Sequence, residues 1–95
     1  MTTIIRVYKK NDGPSQKVAK ILDQVDTMFM REDYDIEDVN QTLKKKAISI
    51  ISNYSTTNVP FLLFRRKDGT EYAAHYQEEG IPTVEIIEQK LQNGI

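Results

Sequence analysis

The chain has 95 residues, with 13 Lys and Arg against 14 Asp and Glu, and it contains neither Cys nor Trp. This length suits one domain, residues 1–95, with a modest core. The absence of cysteine excludes disulfides, thiolate metal sites and thiol nucleophiles. A formal net charge of −1 argues against general binding to nucleic acid or anionic membranes. With no long apolar run and no signal-peptide pattern, we expect a soluble, cytoplasmic protein.

The amino-terminal third predicts a strand and a helix. The β-branched and aromatic residues of Thr3–Lys9 are typical of a strand buried on both faces. Apolar residues at helical spacing then predict a helix that begins near Pro14, with Asp12 or Gly13 as its cap, and ends near Phe29.

The middle of the chain predicts a second strand and a second helix. Tyr34–Ile36 lies in a charged stretch and indicates only a short strand. Asp38 and Gln41 resemble a capping box, which predicts the start of the helix. Its predicted buried face consists of Leu43, Ala47, Ile50, Ile51 and Tyr54.

The last third predicts a hairpin and a final helix. The apolar run Phe61–Arg65 favours a central strand. Asp68-Gly69 is typical of a two-residue hairpin loop, after which Glu71–Tyr76 returns antiparallel. Pro82 predicts the start of a helix that Gly94 ends.

The predicted order is β-α-β-α-β-β-α. Strands joined through helices are expected to be parallel, and the hairpin adds an antiparallel pair. The fold class is therefore α/β, with a four-stranded mixed sheet flanked on both faces by three helices.

This order resembles the thioredoxin fold, and the motifs within it resemble the glutaredoxins. In that family a strand ending in Tyr and Lys leads to Cys-Pro-Tyr-Cys at the start of the first helix. Here Tyr8-Lys9 leads to Gly13-Pro14-Ser15-Gln16. Asn58-Val59-Pro60 is similar to the family's Thr-Val-Pro, whose proline is cis. Gly80-Ile81-Pro82 is similar to the glycine region before the last helix.

The resemblance implies a thioredoxin-like scaffold without oxidoreductase activity, because Gly13 and Gln16 stand where the family has its two cysteines. It implies a cis Val59–Pro60 bond that leaves the Val59 backbone open to an extended peptide. The implied binding groove, at the former active site, consists of Lys10, Gly13, Pro14, Ser15, Gln16, Asn58, Val59, Pro60 and Gly80.

A second candidate surface is acidic. Seven acidic residues lie between Asp23 and Asp38, against Arg31 alone. One interpretation is a solvated edge strand whose charges block pairing between sheets. The other is a docking patch for a basic partner. The patch would consist of Glu32, Asp33, Asp35, Glu37 and Asp38.

Other ligands are less well supported by the residues. The carboxylates lack the glycine and the terminal Glu of a calcium loop, so we expect no metal. The basic triplets Lys44-Lys45-Lys46 and Arg65-Arg66-Lys67 are not interleaved with stacking aromatics, so we expect no nucleic acid. Glutathione is an alternative, since Lys10, Val59 and Gly80 stand where the family contacts it. Glu78 and Glu79 would repel that anion.

We therefore expect a redox-inactive, glutaredoxin-like module that binds a protein partner, as a monomer and without a cofactor. A phage or bacterial accessory protein would fit this description. The alternative is a protein that binds glutathione or a small carboxylate, or a degenerate enzyme, using the same groove. A third interpretation is a structural, oligomeric subunit.

Overall fold

The structure, a computed structural model, describes residues 1–75 and 80–93, with the backbone alone at residue 75. The predictions for Tyr76 as the end of the last strand, for Glu78 and Glu79, and for Gly94 as a helix stop lie outside these residues. Within them, the elements follow the predicted order. They are β1 (Thr3–Tyr8), α1 (Gly13–Asp23), β2 (Met30–Asp35), α2 (Gln41–Ser52), β3 (Phe61–Arg65), β4 (Glu71–His75) and α3 (Val84–Asn93).

The described strands form one mixed sheet in the order β2-β1-β3-β4. β1 runs parallel to β2 and antiparallel to β3, and β3 runs antiparallel to β4. The mixed sheet and the central position of β3 are therefore confirmed. The early strands β1 and β2, joined through α1, are parallel as predicted, whereas β3, which follows α2, runs antiparallel to β1. The chain leaves β2 and, after α2, enters β3 at the same end of the sheet, so β3 runs in the opposite direction.

The register defines two ends of the sheet. At the loop end, Tyr8 is opposite Asp35 and Val7 is opposite Phe61. At the hairpin end, Thr3 is opposite both Met30 and Arg65.

Helices cover both faces of the sheet, as predicted, and each face has its own apolar core. Alternation along β1 and β3 sends successive side chains to opposite faces, which explains why both strands are apolar almost throughout. The α1/α3-side cluster contains Ile4, Val18, Leu22, Leu62, Phe64 and Ile87. The α2-side cluster contains Ile5, Val7, Ala47, Ile51, Phe61 and Leu63.

The bounds of α1 and β2 differ from the prediction. α1 ends at Asp23 and not near Phe29, yet Val25 and Phe29 still pack against the α1/α3-side cluster. The helical spacing of Val25 and Phe29 therefore indicated that these side chains are partly buried, but it did not indicate a helix. β2 begins at Met30, before the predicted Tyr34, because a polar edge strand needs hydrogen bonds to only one neighbour.

The two later helices begin after their predicted starts. Asn40, and not Asp38, caps α2, because its side chain accepts a hydrogen bond from the Leu43 N–H at 3.1 Å. Leu43 itself is exposed, contrary to the prediction. α3 begins at Val84, and the Thr83 hydroxyl accepts from the Ile86 N–H at 3.2 Å.

The β3–β4 hairpin is confirmed, but its predicted two-residue loop is wrong. The Arg66 N–H donates to the Thr70 carbonyl at 2.8 Å, which leaves a three-residue loop. Gly69 has a φ of 89°, a left-handed conformation that glycine adopts without strain. Among the described helices, none is long and apolar enough to cross a membrane.

Candidate functional site

The predicted groove residues that surround β1 and β3 meet at the loop end of the sheet. Lys10–Gln16 follows the end of β1, and Asn58–Pro60 precedes the start of β3. Because Val7 pairs with Phe61, the two segments lie side by side. The Val59–Pro60 bond is cis, as the resemblance implied. Gly80 is exposed ahead of α3.

Accessibility divides the groove residues into two groups. Pro60 and Ser15 are buried, Pro14 is partly buried, and Val59 is partly buried against the α2-side cluster. The exposed members are Lys10, Gly13, Gln16, Asn58 and Gly80. These exposed residues offer hydrogen-bonding groups, one ammonium and open backbone.

Ser15 has a structural role at the start of α1. Its hydroxyl donates to Asp12 Oδ2 at 2.8 Å and accepts from the Lys9 N–H at 3.3 Å. The same Asp12 oxygen accepts from the Ser15 N–H at 3.0 Å, the usual capping contact. The Ser15 hydroxyl is therefore buried and engaged in two hydrogen bonds.

Arg6 is the main feature that sequence reasoning missed. It lies in the middle of central strand β1, yet only 8% of its surface is exposed. Its Nε donates to Asp33 Oδ1 on β2 at 2.5 Å, and its Nη1 donates to the Ser15 carbonyl at 3.1 Å. Arg6 thus ties the first turn of α1 to two strands of the sheet.

The Arg6–Asp33 pair belongs to a larger ionic network. Arg31 Nε lies 3.1 Å from Asp33 Oδ2, and Arg31 Nη1 lies 2.6 Å from Asp23 Oδ1. Asp33 therefore accepts from two arginines, one buried and one nearer the surface. The Asp33 carboxylate compensates for part of the cost of burying the Arg6 guanidinium.

Tyr8 completes this cluster at the loop end. The Arg6 guanidinium carbon lies 3.9 Å from the centre of the Tyr8 ring, within cation–π range. Burial raises the pKa of the Tyr8 phenol above its ordinary value, and the negative charge of Asp35 raises it further. The phenol therefore stays neutral at physiological pH.

The loop before α1 is held by one hydrogen bond from a side chain to the backbone and by one between backbone groups. Gln16 Nε2 donates to the Lys10 carbonyl at 3.1 Å, and the Asp12 N–H donates to the Lys9 carbonyl at 3.1 Å. A Cβ added at Gly13 would have no atom within 4 Å, so the surface in front of the helix is open. The loop is therefore hydrogen-bonded to the start of α1, and the surface beside Gly13 is accessible.

The five acidic residues of the predicted patch do not share one face. Asp33 lies on the α1 side with Arg6, whereas Glu32 accepts from the Tyr34 hydroxyl at 2.6 Å on the α2 side. Asp35 and Asp38 each accept a backbone N–H two residues on, at 2.8 Å. Glu37 Oε2 lies 3.8 Å from Lys9 Nζ.

Local pairing therefore engages every acid of that patch. Within the described residues, no group of three or more His, Asp or Glu side chains is arranged to hold a metal ion. β2 is an edge strand of the described sheet, and charged edge strands resist pairing with other chains.

Comparison of the chain with models of known protein families gives no match. Comparison with curated proteins gives no significant match either.

Proposed function

We propose that the chain is a thioredoxin-like, glutaredoxin-like module that binds a protein partner and carries out no thiol chemistry. The proposed contact surface is the loop end, formed by Lys10–Gln16 together with Asn58–Pro60. The acidic β2 region is the second candidate surface.

The observation that carries the proposal is the clamp made by Arg6. A buried arginine at the centre of a small domain is costly unless it is fully paired. Here it holds the first turn of α1 through the Ser15 carbonyl, and Asp12 fixes the same turn through its capping bonds. A surface that is ordered before contact loses less conformational entropy on binding.

The absence of cysteine from the sequence supports binding over catalysis. With Gly13 and Gln16 in place of the family's cysteines, no thiolate is present to attack a disulfide. The exposed polar groups that remain suit recognition of a peptide backbone or of polar side chains.

Site-specific photocrosslinking in extracts of the cells that express the protein tests the proposal. A photoreactive phenylalanine analogue is placed at Gln16, at Asn58 and, as the matched control, at exposed Lys45 on α2. We expect Gln16 and Asn58 to crosslink to the same protein and Lys45 not to. Equal products at all three positions, or none at the loop end, would count against the proposal.

Two further measurements separate the alternatives. Loss of the crosslink at high salt would shift the contact toward the acidic β2 region, because salt screens exposed charges. Titration with reduced glutathione, followed by amide NMR signals, tests the small-ligand function. Movement of the Lys10, Val59 and Gly80 signals without a protein crosslink would favour that alternative.

A further inference from the structure

A second surface lies at the hairpin end, opposite the proposed loop-end contact. It is an open depression of about 410 Å³ between the amino terminus of β1, the segment before β2, the hairpin and the last turn of α3. The size suits one or two amino-acid side chains. Its lining consists of Met1, Thr2, Met28, Arg66, Lys67, Asp68 and Leu91.

The apolar part of the lining is unusually accessible. Met28 is 76% exposed and Met1 is 55% exposed, and Leu91 adds a partly buried side chain beside them. Methionine side chains adapt their shape to a partner, and surfaces that bind varied sequences use them for this reason. The depression therefore offers apolar contact that the fold itself does not use.

The polar part of the lining contains an unmet donor. Arg66 Nε is buried, and it has no hydrogen-bond partner in the part of the chain described here. A buried charged N–H without an acceptor is costly, so this atom favours an incoming acceptor. Lys67 adds a second positive charge next to it.

The one acid of the lining does not satisfy this donor. Asp68 Oδ1 accepts from the Thr70 N–H at 2.9 Å. This hydrogen bond lowers the pKa of the Asp68 carboxyl, which keeps it ionised on the rim. Within the described residues, Arg66 Nε therefore keeps an open donor position that a partner molecule can fill.

We propose that this depression docks a short segment of a partner protein in which an acidic side chain stands next to apolar ones. The carboxylate accepts from Arg66 Nε, near Lys67, and the apolar side chains pack on Met1, Met28 and Leu91. The positive charges of Arg66 and Lys67 favour an acidic side chain, since arginine binds carboxylates with strong, charge-assisted hydrogen bonds. The proposal does not depend on the loop-end contact.

Two other classes of macromolecule fit the lining less well. Single-stranded nucleic acid is bound by stacking on aromatic rings, and no lining residue is aromatic. Anionic membranes are bound by clusters of about four to eight basic residues, whereas this lining has two.

Amide NMR titration of the isotope-labelled full chain tests the proposal. The probe is the blocked tripeptide acetyl-Leu-Glu-Leu-amide, and its matched control is acetyl-Leu-Gln-Leu-amide, which has the same shape without the charge. We expect the Thr2, Met28 and Lys67 signals to move with the glutamate peptide. The glutamine peptide is expected to bind at least about fivefold more weakly, as loss of a charge-assisted bond predicts.

Variants assign the binding to the named residues. Arg66→Gln is expected to weaken the glutamate peptide about fivefold or more and to remove the preference over the glutamine peptide. Met28→Ser tests the apolar contact separately. Lys17→Gln, a charge change on the exposed face of α1, is expected to leave both affinities unchanged. Circular dichroism confirms that each variant folds.

Three results would overturn the proposal. The first is that these signals do not move at about 20 mM peptide, a concentration that would reveal any useful affinity. The second is equal affinity for the two peptides, and the third is equal affinity of wild type and Arg66→Gln for the glutamate peptide. Sodium acetate or phosphate that produces the same shifts would show a general anion site instead. An oligothymidylate that binds more tightly would show nucleic-acid binding.

Discussion

Replacement of Arg6 by methionine is expected to lower the free energy of unfolding by about 2–4 kcal/mol. Methionine keeps most of the volume of the aliphatic part, so the loss comes from the guanidinium contacts. A hydrogen bond to a charged group contributes about 1.5–3 kcal/mol, and the bond to the Ser15 carbonyl is buried. The cation–π contact with Tyr8 adds about 0.5–1 kcal/mol.

The ion pair with Asp33 adds little to this sum. The Asp33 side chain is 32% exposed and keeps its contact with Arg31 when Arg6 is removed. Solvent screening reduces such a pair to about 0–1 kcal/mol. We therefore expect the double variant Arg6→Met/Asp33→Asn to show a coupling energy of about 1 kcal/mol or less in a mutant cycle.

Urea denaturation followed by circular dichroism measures these values, with the slope of the transition as a check on two-state behaviour. The matched control is Lys9→Met, three residues along the same segment. Lys9 Nζ lies 3.8 Å from Glu37 Oε2, and the two side chains are 48% and 56% exposed. Lys9→Met is therefore expected to change the free energy of unfolding by less than about 0.5 kcal/mol. A loss for Arg6→Met no larger than that of the control would refute the reasoning.

Three further predictions concern the same molecule. Asp12→Ala removes the cap of α1 and is expected to cost about 1–2 kcal/mol in urea denaturation. The Glu71 carboxyl accepts a hydrogen bond from the Tyr54 hydroxyl and another from Arg65. Both bonds lower the pKa of this carboxyl, and the bond from Tyr54 has the larger effect. Stability from this pair is present above the ordinary carboxyl pKa and is lost as pH falls through the lowered one, so Tyr54→Phe is expected to destabilise more at about pH 6 than at about pH 3. Gly13→Cys/Gln16→Cys is expected to form an intramolecular disulfide in a glutathione redox buffer, since a Cβ at position 13 meets open space and Gly13 is the first residue of α1, where the N–H groups have no intrahelical partner.

Each of these has a control and a contrary result. Asp26→Ala changes an exposed acid and is expected to cost less than about 0.5 kcal/mol; an equal loss for Asp12→Ala would contradict its capping role. Tyr72→Phe is expected to show no such pH dependence, and a Tyr54→Phe effect equal at both pH values would contradict the sign given above. Lys17→Cys/Lys20→Cys, inside α1, is expected not to close, and closure of both pairs or of neither would contradict the geometric argument.

Much of the fold could be predicted because its signals are local. The apolar runs of β1 and β3, and the turn residue Gly69, depend on neighbours in sequence. The end of α1 could not be predicted in this way, because Val25 and Phe29 repeat the helical spacing while packing on the core from a loop. Apolar periodicity reports which side chains are buried, and two backbone conformations can bury the same residues.

The candidate site was predicted only in outline. The sequence pointed to the segments Lys10–Gln16 and Asn58–Pro60, but it did not point to Arg6, which holds the first turn of α1. A single arginine in a strand is usually solvated, and Arg6 is buried only because its partners, Asp33 and Ser15, come from other elements. The acids of β2 were visible in the sequence, whereas their pairing depends on which face each occupies.

The position of Arg6 also bears on the alignment of β1 with its neighbours. A shift by one residue would turn Arg6 toward the α2-side cluster, where Ala47 and Ile51 offer it no acceptor, and would move Ile5 and Val7 away from that cluster. Because β1 is apolar on both sides, hydrophobic burial alone distinguishes the two alignments weakly. Arg6, the single charged residue of the strand, finds its acceptors in only one of the two alignments. It therefore favours that alignment over the misfolded alternative.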